Sequence, residues 1–277
     1  MAADRQSPEG IREWLVRLGH LCFDDFLLLP PQTLDCEHWN PNMASDWALA
    51  TNNAPHIQVR FPPGHCNLQT ANCELEPSLG DVQAAQQRLV AHFAYDLLRA
   101  KAPPIYDALP WHDWEFSIVT KKFPLWKTRF LLAGDGTTVA MCRCRKSAGV
   151  YVVEPCETMA HYIGRKAEVE KVHRFRLVSP KPQATSFKLL SAIPLPDKAV
   201  DLAIIGSVPR LDTGNWQMVT REMLRVSCNV LIIENSPLSQ PLDEKLLTGF
   251  GFQPASVAVA GLGRRRCSWR TYLESHL

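Results

Sequence analysis

The stretch Arg129-Phe130-Leu131-Leu132-Ala133-Gly134-Asp135-Gly136-Thr137-Thr138 decides the fold. Its first five residues make a short apolar run that stops at glycine, the pattern of a strand buried on both faces. Gly134 and Gly136 let the main chain turn sharply and let other atoms approach it closely. The helix start that follows offers free backbone N–H groups and the positive end of a dipole. A second apolar run, Gly149-Val150-Tyr151-Val152-Val153, ends in Glu154, eighteen residues after Gly136. A carboxylate at a strand end can accept hydrogen bonds from both hydroxyls of a ribose. A Gly-x-Gly by itself is weak. With a strand before it and an acid closing the next strand, it points to an adenosine ligand. The bland alternatives are a tight turn that touches nothing at Gly134 and Gly136, and a solvated or helix-capping carboxylate at Glu154.

Working outward toward the C-terminus, helical and apolar segments alternate. Thr158–Val172 and Asn215–Val226 read as helices, Val200–Gly206 and Asn229–Glu234 as strands, and Asp243–Thr248 as a short helix. Ser256–Ala260 and Arg266–Leu273 read as two closing strands. Such alternation implies an α/β domain whose mainly parallel sheet is covered on both faces. Gly206 and Ser207 leave the C-terminal end of a strand, where ligands sit in such sheets.

Toward the N-terminus the texture differs. Ile11, Trp14, Leu15, Leu18, Leu21 and Cys22 recur at helical spacing over 8–29, with Ser7 as N-cap and Pro8 at the first helical position. Residues 32–77 are irregular, with one strand candidate, His56-Ile57-Gln58-Val59-Arg60-Phe61. Ser78 caps an amphipathic helix that runs to about Lys101. An aromatic connector with Tyr106, Trp111, Trp114 and Phe116 follows. Residues 1–115 therefore read as a mainly helical and irregular region, and 116–277 as the α/β domain.

Several segments resemble the class I S-adenosylmethionine (SAM) methyltransferases, most closely the type 11 members. Val150-Tyr151-Val152-Val153-Glu154-Pro155-Cys156-Glu157-Thr158-Met159 is similar to that family's second motif. Ile193-Pro194-Leu195-Pro196-Asp197-Lys198-Ala199-Val200-Asp201 resembles its Leu-Pro run into the fourth strand. Arg221-Glu222-Met223-Leu224-Arg225-Val226 and Leu246-Leu247-Thr248-Gly249-Phe250-Gly251-Phe252 match two later landmarks in the same order. The resemblance implies a Rossmann-like, mostly parallel seven-stranded sheet and SAM as cofactor. It assigns ribose binding to Glu154, places Pro155 beside the adenine, and puts Gly134, Asp135, Gly136, Gly206 and Ser207 around the cofactor. The region 1–115 becomes a lid or substrate-recognition region. The first motif is degenerate. Leu132 stands where the family places an acid, Thr138 replaces the third glycine, and Leu189 aligns with the acid that reads the adenine. Ser227-Cys228-Asn229 replaces the usual glycine turn. Asp135, between the two glycines, is a candidate substitute for the missing acid.

Other groups invite chemistry and have plainer readings beside it. His112 with Asp113 is the best candidate general base. The aromatics around it line a pocket or simply form core. Cys36, His38, His65, Cys66 and Cys73 carry metal-binding side chains, but the spacing fits no standard finger, so unrelated thiols and no metal site are expected. Cys142 and Cys144 read as packed thiols. Arg264-Arg265-Arg266 suggests phosphate contact or a solvated turn, and Asp201 reads as structural.

Thirty Lys and Arg against 28 Asp and Glu leave a formal charge of +2, so no global field favours nucleic acid or membrane. No apolar run approaches a bilayer span, and the N-terminal residues lack a signal core. A cytoplasmic setting follows as the expectation, with nine reduced cysteines. Two functions stay open. One is a SAM-dependent methyltransferase acting on a small molecule, a protein or RNA. The other is a catalytically inactive methyltransferase-like fold that serves as an interaction or assembly module with a protein partner. A SAM-binding enzyme of different chemistry stands behind both.

Overall fold

A computed structural model describes residues 7–29, 34, 41–52, 54–60, 78–178, 193–207, 213–238 and 243–270. Leu189, the metal candidates Cys36, His38, His65, Cys66 and Cys73, and the end of the last expected strand lie outside these residues. The chain divides into two compact units, Met1–Tyr106 and Asp107–Leu277.

The first unit is helical. The Ser7 side chain accepts from Gly10 N at 3.0 Å and Pro8 opens α1 (Pro8–Gly19), as the sequence predicts. A 3-10 turn, Phe23–Leu28, replaces the rest of the expected helix. Next come α2 (Pro41–Thr51) and α3 (Pro55–Arg60). The latter corrects the strand reading of His56–Phe61. Pro55 supplies a helical φ at the first position, Ile57 N donates to Ala54 O, and six residues are too few to separate a period of 2 from 3.6. Ser78 and Asp81 form a reciprocal capping box on α4 (Leu79–His92). The expected helix to Lys101 is broken at Phe93 (φ −95°, ψ 9°), and α5 (Ala94–Lys101) resumes it. Phe93 is fully buried, with its ring 5.3 Å from that of Phe26. Then comes α6 (Pro103–Asp107).

The second unit begins with the turn Pro110–His112 and α7 (Ser117–Thr120). Then β1 (Arg129–Ala133), α8 (Thr137–Arg143), β2 (Gly149–Val153), α9 (Glu157–Val169), β3 (Phe175–Val178) and β4 (Val200–Ile205) follow. The chain continues through α10 (Thr213–Val226), β5 (Ser227–Ile233), α11 (Glu244–Gly249), β6 (Gln253–Val259) and β7 (Gly263–Arg270). The seven strands form one sheet in the order β3-β2-β1-β4-β5-β7-β6, parallel except for β7, which runs antiparallel to β5 and β6. This is the mainly parallel sheet that the alternation implies, with the seven Rossmann-like strands that the resemblance implies. β3 escaped the strand-by-strand reading because it is a short edge strand, with Arg174 and Arg176 flanking a partly exposed Phe175.

Side chains alternate across the sheet. Leu131, Ala133, Ala203, Ile205, Val230 and Ile232 form one core cluster with Val219, Met223 and Val226 of α10 and Leu247 of α11. Phe130, Leu132, Val150 and Val152 are equally buried, so the inner strands β1 and β2 have no wet face. Two landmarks quoted from the sequence are joined physically. Arg225 of α10 reaches the carbonyls of Ile193 and Leu195 (both 2.9 Å) and Asp197 (2.7 Å), while Glu222 accepts from Ile193 N at 2.8 Å. Asp201 accepts from Arg129 N at 2.7 Å and pairs with its guanidinium at 3.0 Å, the structural role expected of it. Among the described residues no helix is long and apolar enough to cross a membrane.

Candidate functional site

Register brings the quoted glycines and the acid together. Ala133 pairs with Val153 of β2 on one side and Ile205 of β4 on the other. The next residues are Gly134, Glu154 and Gly206, so all three leave the sheet side by side at its C-terminal edge. Between β1 and β4 the connections diverge in opposite directions, the topological switch point where ligands bind in open α/β sheets.

Gly134 and Gly136 both take left-handed φ values, 78° and 75°, which explains glycine at each. Thr137 Oγ1 donates to Gly134 O at 2.6 Å and fixes the bend. The bend also meets its own chain. A Cβ on Gly136 would lie 2.8 Å from His112 O, and a Cβ on Gly206 would lie 1.9 Å from Asp135 O. Asp135 N donates to Ser207 O at 3.2 Å. The loops after β1 and β4 are therefore in direct main-chain contact.

Glu154 is buried, and its Oε1 accepts from Cys156 N at 2.8 Å, just where α9 begins. The carboxylate thus caps a helix start while standing beside the glycine bend. Pro155 follows it, partly exposed. Asp135 is buried as well, and so is Leu132 within β1. Leu132, one residue before the end of β1, packs into the core as an apolar side chain.

Two residues that sequence reasoning did not single out hold this edge. Asn235, fully buried after β5, donates from Nδ2 to Trp111 O (3.1 Å) and Asp135 O (3.4 Å) and accepts from Ser207 N (2.8 Å). Ser207 Oγ in turn accepts from Ser236 N at 2.9 Å. One amide thus ties three loops together. In the sequence Asn235 is a polar residue at a strand end, indistinguishable from a turn residue.

His112 is buried at 1% exposure on the turn before α7, its main chain against Gly136. Asp113 is exposed, and its carboxylate pairs with Arg143 of α8, which also donates to Trp114 O. Main-chain bonds from Glu115 N to Ala258 O and from Ala260 N to Asp113 O, both 2.8 Å, attach this segment to β6. Trp111, Trp114 and Phe116 are buried core aromatics of the second unit. Arg264, Arg265 and Arg266 bond to Ser256, to the carbonyls of Glu234 and Ser236, and to the Glu234 carboxylate, respectively. Burial pushes the thiols of Cys142 and Cys144 up from the ordinary range, away from nucleophilic thiolate. Among the described residues no three His, Cys, Asp or Glu side chains gather to hold a metal ion.

No family model matches the chain, and no curated protein matches it by sequence. Solved structures do resemble it. A SAM-dependent methyltransferase from Aquifex aeolicus is 17% identical, with 57% of this chain and 89% of that one covered at a TM-score of 0.42. Magnesium protoporphyrin IX methyltransferase from Synechocystis, solved with bound SAM, is 13% identical, with 88% and 98% covered at a TM-score of 0.45.

Proposed function

We propose that the second unit binds S-adenosylmethionine at the C-terminal edge of β1 and β2 and transfers its methyl group to an acceptor. The observation that carries this is the glycine bend standing beside the buried carboxylate of Glu154 at adjacent strand ends. The nucleoside half of SAM fits that pair. Glu154 accepts from the ribose hydroxyls, the bend gives the ligand access to main-chain N–H groups, and Pro155 lies along the adenine. The amino-acid half finds no acid at the end of β1, and the charge nearest the bend in sequence belongs to Asp135. The sulfonium brings the reactive methyl group. The protein aligns the acceptor with it and excludes water. Of the two base candidates, His112 has its main chain against Gly136 of the bend, whereas Asp113 is exposed and pairs with Arg143, so His112 is the one placed at the site.

A second reading has specific support: the fold retained as an interaction module. Leu132 removes one charge-assisted bond, and Gly136 and Gly206 are already required by contacts within the chain. A lost bond of this kind costs about 1.5–3 kcal/mol, or roughly tenfold or more in affinity.

Calorimetry and thermal shift with SAM and S-adenosylhomocysteine separate the two. Saturable heat and a raised melting temperature are expected, and Glu154→Gln, which keeps an acceptor for Cys156 N, should weaken binding at least about tenfold. An unchanged affinity in that variant removes Glu154 from the ribose. Silence in both assays at about millimolar ligand, where tight binders add several kcal/mol, leaves the module reading.

A further inference from the structure

We propose that the opposite edge of the sheet, where β1, β2 and β3 begin, is a binding surface for single-stranded nucleic acid. The register pairs Arg129 with Gly149 and Val150 with Phe175, which sets Arg129 and Arg174 on either side of Gly149. Ala148 N donates to Leu125 O (3.3 Å) and Thr128 O (3.1 Å), docking the Arg145–Lys146 turn against the 3-10 turn Leu125–Lys127. His173 N donates to Arg145 O at 2.9 Å and draws the Lys171–Arg174 turn to the same place. Lys127, Arg129, Arg145, Lys146, Lys171 and Arg174 thereby collect on one edge, all but Arg129 outside the strands.

Two of these cations have acids. Arg129 pairs with Asp201 at 3.0 Å and Arg145 with Glu170 at 3.4 Å. Lys127, Lys146, Lys171 and Arg174 make no ion pair among the described residues, and exposed Glu168 is the further acid nearby. Trp126 stands in the same 3-10 turn, 69% exposed, with Lys127 Nζ 4.5 Å from its ring centroid. An exposed ring among unpaired cations is what a strand of bases and phosphates requires: a base stacks on the indole while phosphates meet the ammonium and guanidinium groups. Unpaired bases are needed for that stacking, which favours single strands over duplex. A membrane-lying surface requires a whole apolar face, and here the large exposed apolar side chains are Trp126 and Val169 of the last turn of α9. Five residues of β1 at about 3.3 Å each separate this edge from the glycine bend by roughly 17 Å. The surface therefore stands whether or not the bend binds SAM.

Fluorescence anisotropy with the full chain and a labelled oligouridine tests it. Binding at about micromolar concentration in low salt is expected, and four neutralised phosphates give a log–log salt slope of about −3. The double substitution Lys146→Glu and Arg174→Glu should weaken binding at least tenfold and flatten that slope. Trp126→Ala should weaken it about tenfold, the loss of one stacked base, with the slope unchanged. All three positions are exposed, and unchanged circular dichroism and melting temperature identify folded variants. Should the double variant misfold, Lys146→Gln alone should still cost about threefold. No anisotropy change up to about 100 μM in low salt overturns the proposal, since nonspecific binders fall near or below that range. So does binding that survives these substitutions, a preference for duplex of equal length, or tighter association with phosphatidylserine vesicles.

Discussion

Gly206 shows how a single missing side chain sets the geometry of the candidate edge. A methyl group there would sit 1.9 Å from Asp135 O, a main-chain atom that cannot swing aside. Gly206→Ala should therefore destabilise the second unit by about 3 kcal/mol, the upper part of the range for overpacking, read as a lower urea midpoint. Gly164 makes the control. It lies within α9 with nothing within 4 Å of its Cβ position, so Gly164→Ala should stabilise by about 0.5–1 kcal/mol. Asn235→Ala leaves Ser207 N, Trp111 O and Asp135 O without their shared partner, a loss of roughly 3 kcal/mol for buried groups. The sequence makes the glycines and Glu154 legible, because φ preference and a strand-end carboxylate are local properties. It does not reveal that Gly206 meets Asp135, or that Asn235 joins three loops. Those contacts span from 28 to 124 residues of chain and follow from the sheet order.

Element scale explains which strings could be read and which could not. The apolar runs that became β1, β2, β4 and β5 are buried on both faces, so hydrophobicity alone marks them. β3 is partly exposed and interrupted by arginine, and α3 is too short to declare its period. The Leu-Pro run and the helix ending in Arg225-Val226 were legible as separate strings, but their contact was not. Arg225 holds Glu222, Asp197 and two carbonyls of that run, and the two carboxylates, Glu222 foremost, raise its already high pKa further. A lysine at this position presents one point charge instead of a planar fork. Arg225→Lys should thus cost about 1–3 kcal/mol and increase proteolysis near Ile193–Asp197, measured by limited digestion and peptide mapping. A variant as stable and as protease-resistant as the parent would show that the clamp holds nothing.

At the scale of the whole molecule, averages conceal what matters. A net charge of +2 follows from 30 basic and 28 acidic residues, yet four cations without an acid partner among the described residues share one sheet edge. Composition cannot report such segregation, because it arises when the fold brings three turns together. The nine cysteines show the same averaging. Counted together they read as reduced thiols, but the structure separates those among the described residues: Cys22 is exposed, while Cys144 and Cys267 are buried. Burial pushes the Cys267 thiol from an ordinary 9.0 to about 11, because the thiolate loses its hydration in the core between β5 and β6. In the unfolded chain the same thiol ionises near 9.0. Below that pH both states hold the proton and stability is unaffected. Between pH 9.0 and about 11 the unfolded state binds fewer protons than the native one, so stability must fall as pH rises. Cys267→Ala should flatten the decline across that window in urea titrations, at the cost of a small cavity that lowers stability at neutral pH. Alkylation at neutral pH should modify Cys22 quickly and Cys267 only as fast as the second unit opens. Equal labelling of the two, followed by mass spectrometry, would contradict the burial that both the pH dependence and the sheet order require.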